Sequence, residues 1–233
     1  MWGKIILGIF LAIIIAIAGL STYGYYAFNN IINKAEQVEL KEEDLGVVDE
    51  EELKQYDDYT EIINIALLGI DSTDSTSGRS DSIMVATLDP IHNKLKLTSF
   101  MRDSYVNISN YGYDKLNHAY AYGGANLAIN TLNTNFGLNI TDFVAVDFAS
   151  LPKIIDSLGG ITIDITEEEL NYINGYINNI NSVSGTNSPI ITTPGAHHVD
   201  GAQALAYSRI RYTSGGDFKR TERQRTVLTA LFN

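Results

Sequence analysis

Residues 5–20 form an apolar run interrupted only by glycine, with Trp2 before it and Tyr23, Tyr25, Tyr26 and Phe28 behind it. Counted through Phe28 the stretch is about 24 residues long, enough for the ~20 that a membrane-spanning helix needs. The tyrosines suit an interfacial belt. A cleaved signal peptide is the alternative. Ala16-Ile17-Ala18 has the spacing of a cleavage site but lies inside the apolar run. Lys4 and the amino terminus precede the run and an acidic segment follows it, so the positive-inside rule leaves the tail in the cytoplasm and everything after Phe28 outside. The expected chain is a single-pass cell-membrane protein. Residues 1–28 form its cytoplasmic tip and transmembrane anchor, 29–61 an acidic extracellular linker, and 62–233 the exported domain.

The net charge of −12 is unevenly spread. Residues 36–61 hold twelve acids against Lys41 and Lys54, which predicts a solvated tether with little surface to bury. Residues 62–233 carry twelve bases and sixteen acids, with no broad basic face of the kind nucleic acid needs. Cysteine is absent, which removes disulfide and thiol chemistry.

Within the exported part, residues 62–70 are β-branched and apolar and predict a buried central strand. A polar loop follows, and strands are expected over 82–88 and 94–100, the three together forming a meander. Residues 124–136 predict a helix, 143–146 a strand, and 151–158 a short helix stopped by Gly159-Gly160. Residues 161–165 alternate as another strand. Residues 166–199, rich in Asn, Ser, Gly and Thr, are expected as a long loop excursion, a lid or rim. A helix follows Asp200, presenting Tyr207, Arg209 and Arg211, and a last one starts near Phe218. The expected fold is α/β, or layered α+β: a central mixed β-sheet flanked by helices.

Five of the seven arginines lie between Ser208 and Arg225, and the other two, Arg79 and Arg102, stand next to Ser80-Asp81 and Asp103. Arginine's planar fork matches phosphate or carboxylate and stays charged, so this confinement points to an anion site. Asp71 ends one expected strand and Asp81 opens the next, bringing both carboxylates to one sheet edge. They either hold a cation against phosphate oxygens, or cap a turn and pair with Arg79. Arg220, Arg223 and Gln224 fall on one helix face, with Arg225 off it. Gly215-Gly216 permits close backbone approach at that helix's start. Asp217 is either the helix N-cap or a base for an attacking hydroxyl.

Five motifs in order after one anchor segment resemble the LytR-CpsA-Psr family: Arg79-Ser80-Asp81-Ser82; Met101-Arg102-Asp103; Lys115-Leu116-Asn117-His118-Ala119-Tyr120-Ala121-Tyr122-Gly123-Gly124; Ala206-Tyr207-Ser208-Arg209-Ile210-Arg211; and Gly216-Asp217-Phe218-Lys219-Arg220-Thr221-Glu222-Arg223-Gln224. The resemblance spans roughly residues 62–225. It implies an exported phosphotransferase that takes a glycan or teichoic-acid chain from a polyprenyl-pyrophosphate donor and joins it through a phosphodiester to a peptidoglycan hydroxyl. Carried over by position, Asp71 and Asp81 hold Mg²⁺ or Mn²⁺. Arg79, Arg102, Arg209, Arg211 and Arg220 grip the pyrophosphate, with Arg223 and Gln224 supporting and Lys115, Asn117 and Tyr120 lining the pocket. Arg102, Asp103, Asp217 and Arg220 are the expected catalytic residues. The lipid tail implied for the family lies in an apolar tunnel, to which the 62–70 strand and 124–136 helix either contribute or belong only as core. Two departures stand out: Met101 occupies a position where many members have proline, and the chain stops at Asn233, short of the helix that usually follows, as expected of a truncated form or a short member.

Phosphoryl transfer asks a protein mainly to position the group and neutralise its oxygens, which arginines and a cation do. Three other readings compete: a pyrophosphate-lipid hydrolase, a binder or regulator that senses polyprenyl-pyrophosphate precursors without turnover, and a structural envelope protein.

Overall fold

The computed structural model describes residues 38–48, 62–72 and 78–231, and every element below belongs to the unit Leu40–Asn233. The expected anchor lies outside the described residues, as does most of the acidic linker; among the described residues no helix is long and apolar enough to cross a membrane.

Strands β1 (Ile63–Ile70), β2 (Ser80–Asp89) and β3 (Lys94–Phe100) form the expected antiparallel meander, and β6 (Asp142–Asp147) adds in parallel to β1. The sheet order is therefore β3-β2-β1-β6, a mixed sheet as expected. Strand periodicity divides its side chains between two faces. Ala66, Leu68 and Ile70 of β1 and Ile83 and Val85 of β2 are buried on one face, with Ala125, Ala128, Ile129 and Leu132 of helix α1 (His118–Phe136) in the same core. Of the apolar residues on the strand and helix that the tunnel reading singled out, these seven of β1 and α1 pack as core, while Ile63 and Phe136 are exposed. Helix α1 begins earlier than expected and is kinked at Gly123 and Gly124, whose backbone angles are not helical.

Three expectations need correction. A hairpin, β4 (Tyr105–Ile108) and β5 (Gly112–Lys115), was not anticipated; its alternation hides among tyrosines, although Val106 and Ile108 face the core. Residues 166–199 are no loop excursion but contain helix α3 (Glu167–Ser184) and strand β8 (Gly195–Val199). Polar asparagines cover the outer face of α3, while Ile173, Ile177 and Ile180 keep the i, i+4, i+7 spacing of a buried stripe, and a Thr166–Glu169 capping box starts it. The acidic stretch is not wholly a solvated tether either. Leu45 is buried in the first core, and α1 reaches out to hold it: the Asn133 side chain donates to the Leu45 carbonyl and that of Asn130 to the Asp44 carbonyl.

A second core lies among α2 (Ser150–Ser157), β7 (Ile161–Ile165), β8, α3, α4 (Gly201–Arg209) and α5 (Gly216–Leu231). Strand β7 pairs with β8 and stays out of the main sheet. An Asp200–Gln203 capping box starts α4.

Candidate active site

Arg102, Arg211 and Arg220 meet Asp81 and Asp217 where β1 ends and β2 begins, at the base of the β4–β5 hairpin and beside the start of α5. The carbonyl of Arg79 accepts from the amides of both Asp71 and Asp81, which brings the two aspartates to one sheet edge as their spacing predicts. Beyond β3 the chain turns through Met101, whose sulfur lies 3.9 Å from the Thr221 hydroxyl on α5. The backbone then stitches the hairpin base: Asn117 N–H donates to the Arg102 carbonyl at 3.0 Å and Leu116 N–H to that of Ser104 at 2.8 Å.

Asp81 is the hub. Its Oδ1 accepts from Asn117 Nδ2 at 3.0 Å, and its Oδ2 accepts from an Arg102 terminal nitrogen, with Arg211 3.8 Å away. A second carboxylate, Asp217, accepts from Arg220 at 3.1 Å and lies 3.8 Å from Arg102 Nε. A third, Asp103, lies 2.6 Å from Lys115 Nζ and 3.4 Å from Arg102 Nε. Arg220 also approaches the carbonyl of Asp81 at 3.5 Å, so α5 closes directly onto the start of β2.

The electrostatics follow from this crowding. Burial, then repulsion from Arg102 and relief by Asp217, with Arg211 opposing again, leaves the Arg220 guanidinium below its ordinary range. The hydrogen bond from Lys115, with Arg102 and Arg220 nearby, holds the Asp103 carboxyl below the usual carboxylate range. Arg102 Nε and Arg220 Nε are buried without a hydrogen-bond partner, as are Ser80 Oγ and Asn117 Oδ1. Arg102 Nε is nonetheless in ion-pair range of Asp103 and Asp217, at 3.4 and 3.8 Å.

Asp217 lies within the first turn of α5, which begins at Gly216, and this removes the N-cap reading. The left-handed turn that delivers it uses Gly215 and Gly216, at φ 89° and 53°. Glu168 of α3 anchors the turn, accepting from Ser214 N–H at 2.7 Å.

The remaining expected residues stand further out. Arg79 is exposed, and Arg209 lies with its guanidinium carbon 4.8 Å from the Phe148 ring centroid, in cation–π range. Tyr120 is buried within the first core. Arg223 shares a face with Arg220 in sequence, yet its donors are spent inside the protein: Nε on Glu169 at 2.6 Å and its terminal nitrogens on the Ile210 carbonyl and Thr213 hydroxyl. Its support is therefore indirect, through the backbone that carries Arg211. Glu169 and Thr213 escaped the sequence reading because α3 did. Gln224 is half-buried next to it. Arg225 leaves the cluster, donating to Ser99 on β3.

Asp71 and Asp81 are of the donor type that Mg²⁺ takes, a cation that uses one or two carboxylates and completes its shell with water and phosphate oxygens. Each Asp81 oxygen already accepts one close donor, but a carboxylate offers about four lone-pair sites, which leaves capacity. Among the described residues no three acids, histidines or cysteines are disposed to hold a metal ion together.

The LytR_cpsA_psr family model matches residues 22–233. The chain belongs to this family. Other LytR_cpsA_psr proteins resemble it closely enough to compare. The polyisoprenyl-teichoic acid–peptidoglycan teichoic acid transferase TagU of Enterococcus faecalis is 33% identical over 97% of this chain and 69% of its own length. The regulatory protein MsrR of Staphylococcus aureus is 36% identical over 72% of this chain, which spans 48% of MsrR. A solved structure of TagT with bound octaprenyl pyrophosphate lipid superimposes with a TM-score of 0.63 at 29% identity, covering 84% of this chain and 72% of that one.

Proposed function

We propose that the chain is a membrane-anchored, exported phosphotransferase that moves a glycan or teichoic-acid polymer from a polyprenyl-pyrophosphate donor to a peptidoglycan hydroxyl. The observation that carries this reading is the convergence of Arg102, Arg211 and Arg220 on the carboxylates of Asp81 and Asp217, with Lys115 and Asn117 beside them. The name of TagU and the lipid in the TagT structure supply the substrate class. The apolar run before residue 29 supports the anchor, and the charge asymmetry around it supports the outward orientation.

In this reading Arg102, Arg220 and Arg211 bind the phosphate oxygens, with Arg79 and Arg209 at the rim. The acceptor oxygen attacks the phosphorus next to the sugar, the phosphoanhydride bond breaks, and polyprenyl phosphate leaves with that bond's electron pair. The hydroxyl proton passes to Asp217. Asp103, its carboxyl held low by Lys115, serves to orient Arg102. Mg²⁺ or Mn²⁺ at Asp71 and Asp81 would neutralise charge on the diphosphate.

Arg102→Ala and Arg220→Ala should each lower polymer transfer to peptidoglycan by about 100-fold or more, the usual cost of removing a charge-stabilising donor. Undiminished transfer in both would sink the reading. The name of MsrR favours a second one, a regulator that binds such lipids without turnover. It predicts tight donor binding with no release of polyprenyl phosphate over hours.

A further inference from the structure

The β4–β5 hairpin projects from the base of the arginine site, and its two faces differ sharply. Val106 and Ile108 are buried beneath it. The ladder pairs Tyr105 with Lys115 and Asn107 with Tyr113, so these four residues share the opposite face. There Tyr105 and Tyr113 are 74% and 66% exposed, and their rings stack at a centroid distance of 5.5 Å with 27° between planes. Two large rings standing in water without core contacts cost solvation that a folded chain has no structural reason to bear, and such patches mark contact surfaces.

Charge narrows the partner. Of these four residues Lys115 alone carries a charge, and Asp103 pairs with it at 2.6 Å. The face is thus aromatic, hydroxylated and electrically neutral, with no cation left over to hold a polyanion. Aromatic rings carry negative π-faces, which attract the polarised C–H groups of a pyranose ring, while tyrosine hydroxyls and amides meet sugar hydroxyls at the edges. Position narrows it further. Lys115 and Asp103 lead straight to Arg102, and Tyr113 lies two residues beyond Lys115, about 7 Å along the strand.

We propose that the outer face of the hairpin, centred on Tyr105 and Tyr113, is the docking platform for the acceptor: a neutral, N-acetylated glycan strand whose end is delivered to Arg102. The inference rests on the phosphotransferase reading for its role but not for its binding chemistry. The platform holds the strand by stacking, Lys115 and Asp103 mark its inner end, and the polymer donor enters from the arginine side.

The test uses the full chain in nanodiscs, with chitotetraose as soluble probe and peptidoglycan as acceptor. Tyr105→Ala/Tyr113→Ala should weaken chitotetraose binding about tenfold and raise the acceptor KM similarly, with a smaller effect on kcat. Tyr105→Phe/Tyr113→Phe, which keeps the rings, should restore most of both. Binding lost in the alanine variant while the wild type transfers nothing would uphold the platform and fail the transferase reading. Unchanged binding and acceptor KM in the alanine variant would overturn the platform and leave the transferase reading intact. A rise in donor KM alone would assign the face to the donor polymer and overturn it. So would quenching of Tyr105→Trp fluorescence by brominated lipids without any response to chitotetraose, which would assign it to the bilayer.

Discussion

Asp81 holds Asn117 with one oxygen and Arg102 with the other, while the Asn117 amide donates to the Arg102 carbonyl. This closed triangle fixes both the side chain and the backbone of Arg102. Removing Asp81 should therefore damage chemistry more than folding. Asp81→Ala is expected to reduce transfer by about 100-fold, and to lower Tm by only about 2–4 °C, equivalent to ~1 kcal/mol in a domain this size. Activity within a few-fold of wild type would show that Arg102 needs no brace.

Arg223 and Glu169 form the opposite case, a buried ion pair away from the anion. Breaking such a pair leaves one charge uncompensated and costs about 3–5 kcal/mol. Arg223→Met should lower Tm by roughly 6–20 °C. Residual activity per folded molecule, measured well below Tm, should fall far less than in Arg220→Ala. A fully stable Arg223→Met protein would contradict the structural assignment.

Acid stability should carry the mark of depressed carboxyls, Asp103 and Asp114 among them. Lys115 lowers Asp103, and the Tyr122 hydroxyl, then His118, lowers Asp114. A depressed group stabilises the fold above its unfolded pKa, about 3.9 for aspartate, and loses that contribution as pH falls through its lower folded value. The Tm advantage of wild type over Asp114→Asn should stay flat from pH 8 to about 5 and shrink only below about pH 4. An advantage that vanishes between pH 7 and 5 would implicate another group.

Gly201 opens α4 with no room for a side chain. A Cβ there would sit 2.1 Å from the carbonyl oxygen of Pro152 on α2. Gly201→Ala must push the two helices apart, at the ~1–3 kcal/mol typical of overpacking. Thermal denaturation should show a Tm lowered by about 2–12 °C, and an unchanged midpoint would refute the close approach.

Much of the sheet was legible because buried strands announce themselves: residues 62–70 are β-branched and bounded by turns, and their partners follow at meander spacing. The hairpin was not, since Tyr105, Tyr113 and Lys115 break the apolar alternation that marks a half-buried strand. Helix α3 was masked by asparagines on its wet side, although its isoleucine stripe and capping box were present. At the site, residue type located the cluster but not each member's use. Helical spacing put Arg220 and Arg223 on one face, and only packing reveals that one faces the carboxylates while the other is locked to Glu169. Asp217 was ambiguous until the helix start was fixed at Gly216.

The two hydrophobic cores have a consequence for how the molecule holds together. Asp81, Arg102 and Asn117 ride on the sheet side, while Arg211, Asp217 and Arg220 ride on the helical side, so the cluster straddles the seam between them. Three guanidiniums repel one another on that seam, and the carboxylates of Asp81 and Asp217 offset the repulsion. A bound diphosphate would swing that balance, acting as a rivet whose grip adds to stability in proportion to the logarithm of its concentration over Kd. Occupancy would then be readable in the sharpness of unfolding itself, the halves melting together when the rivet is in and more independently when it is out.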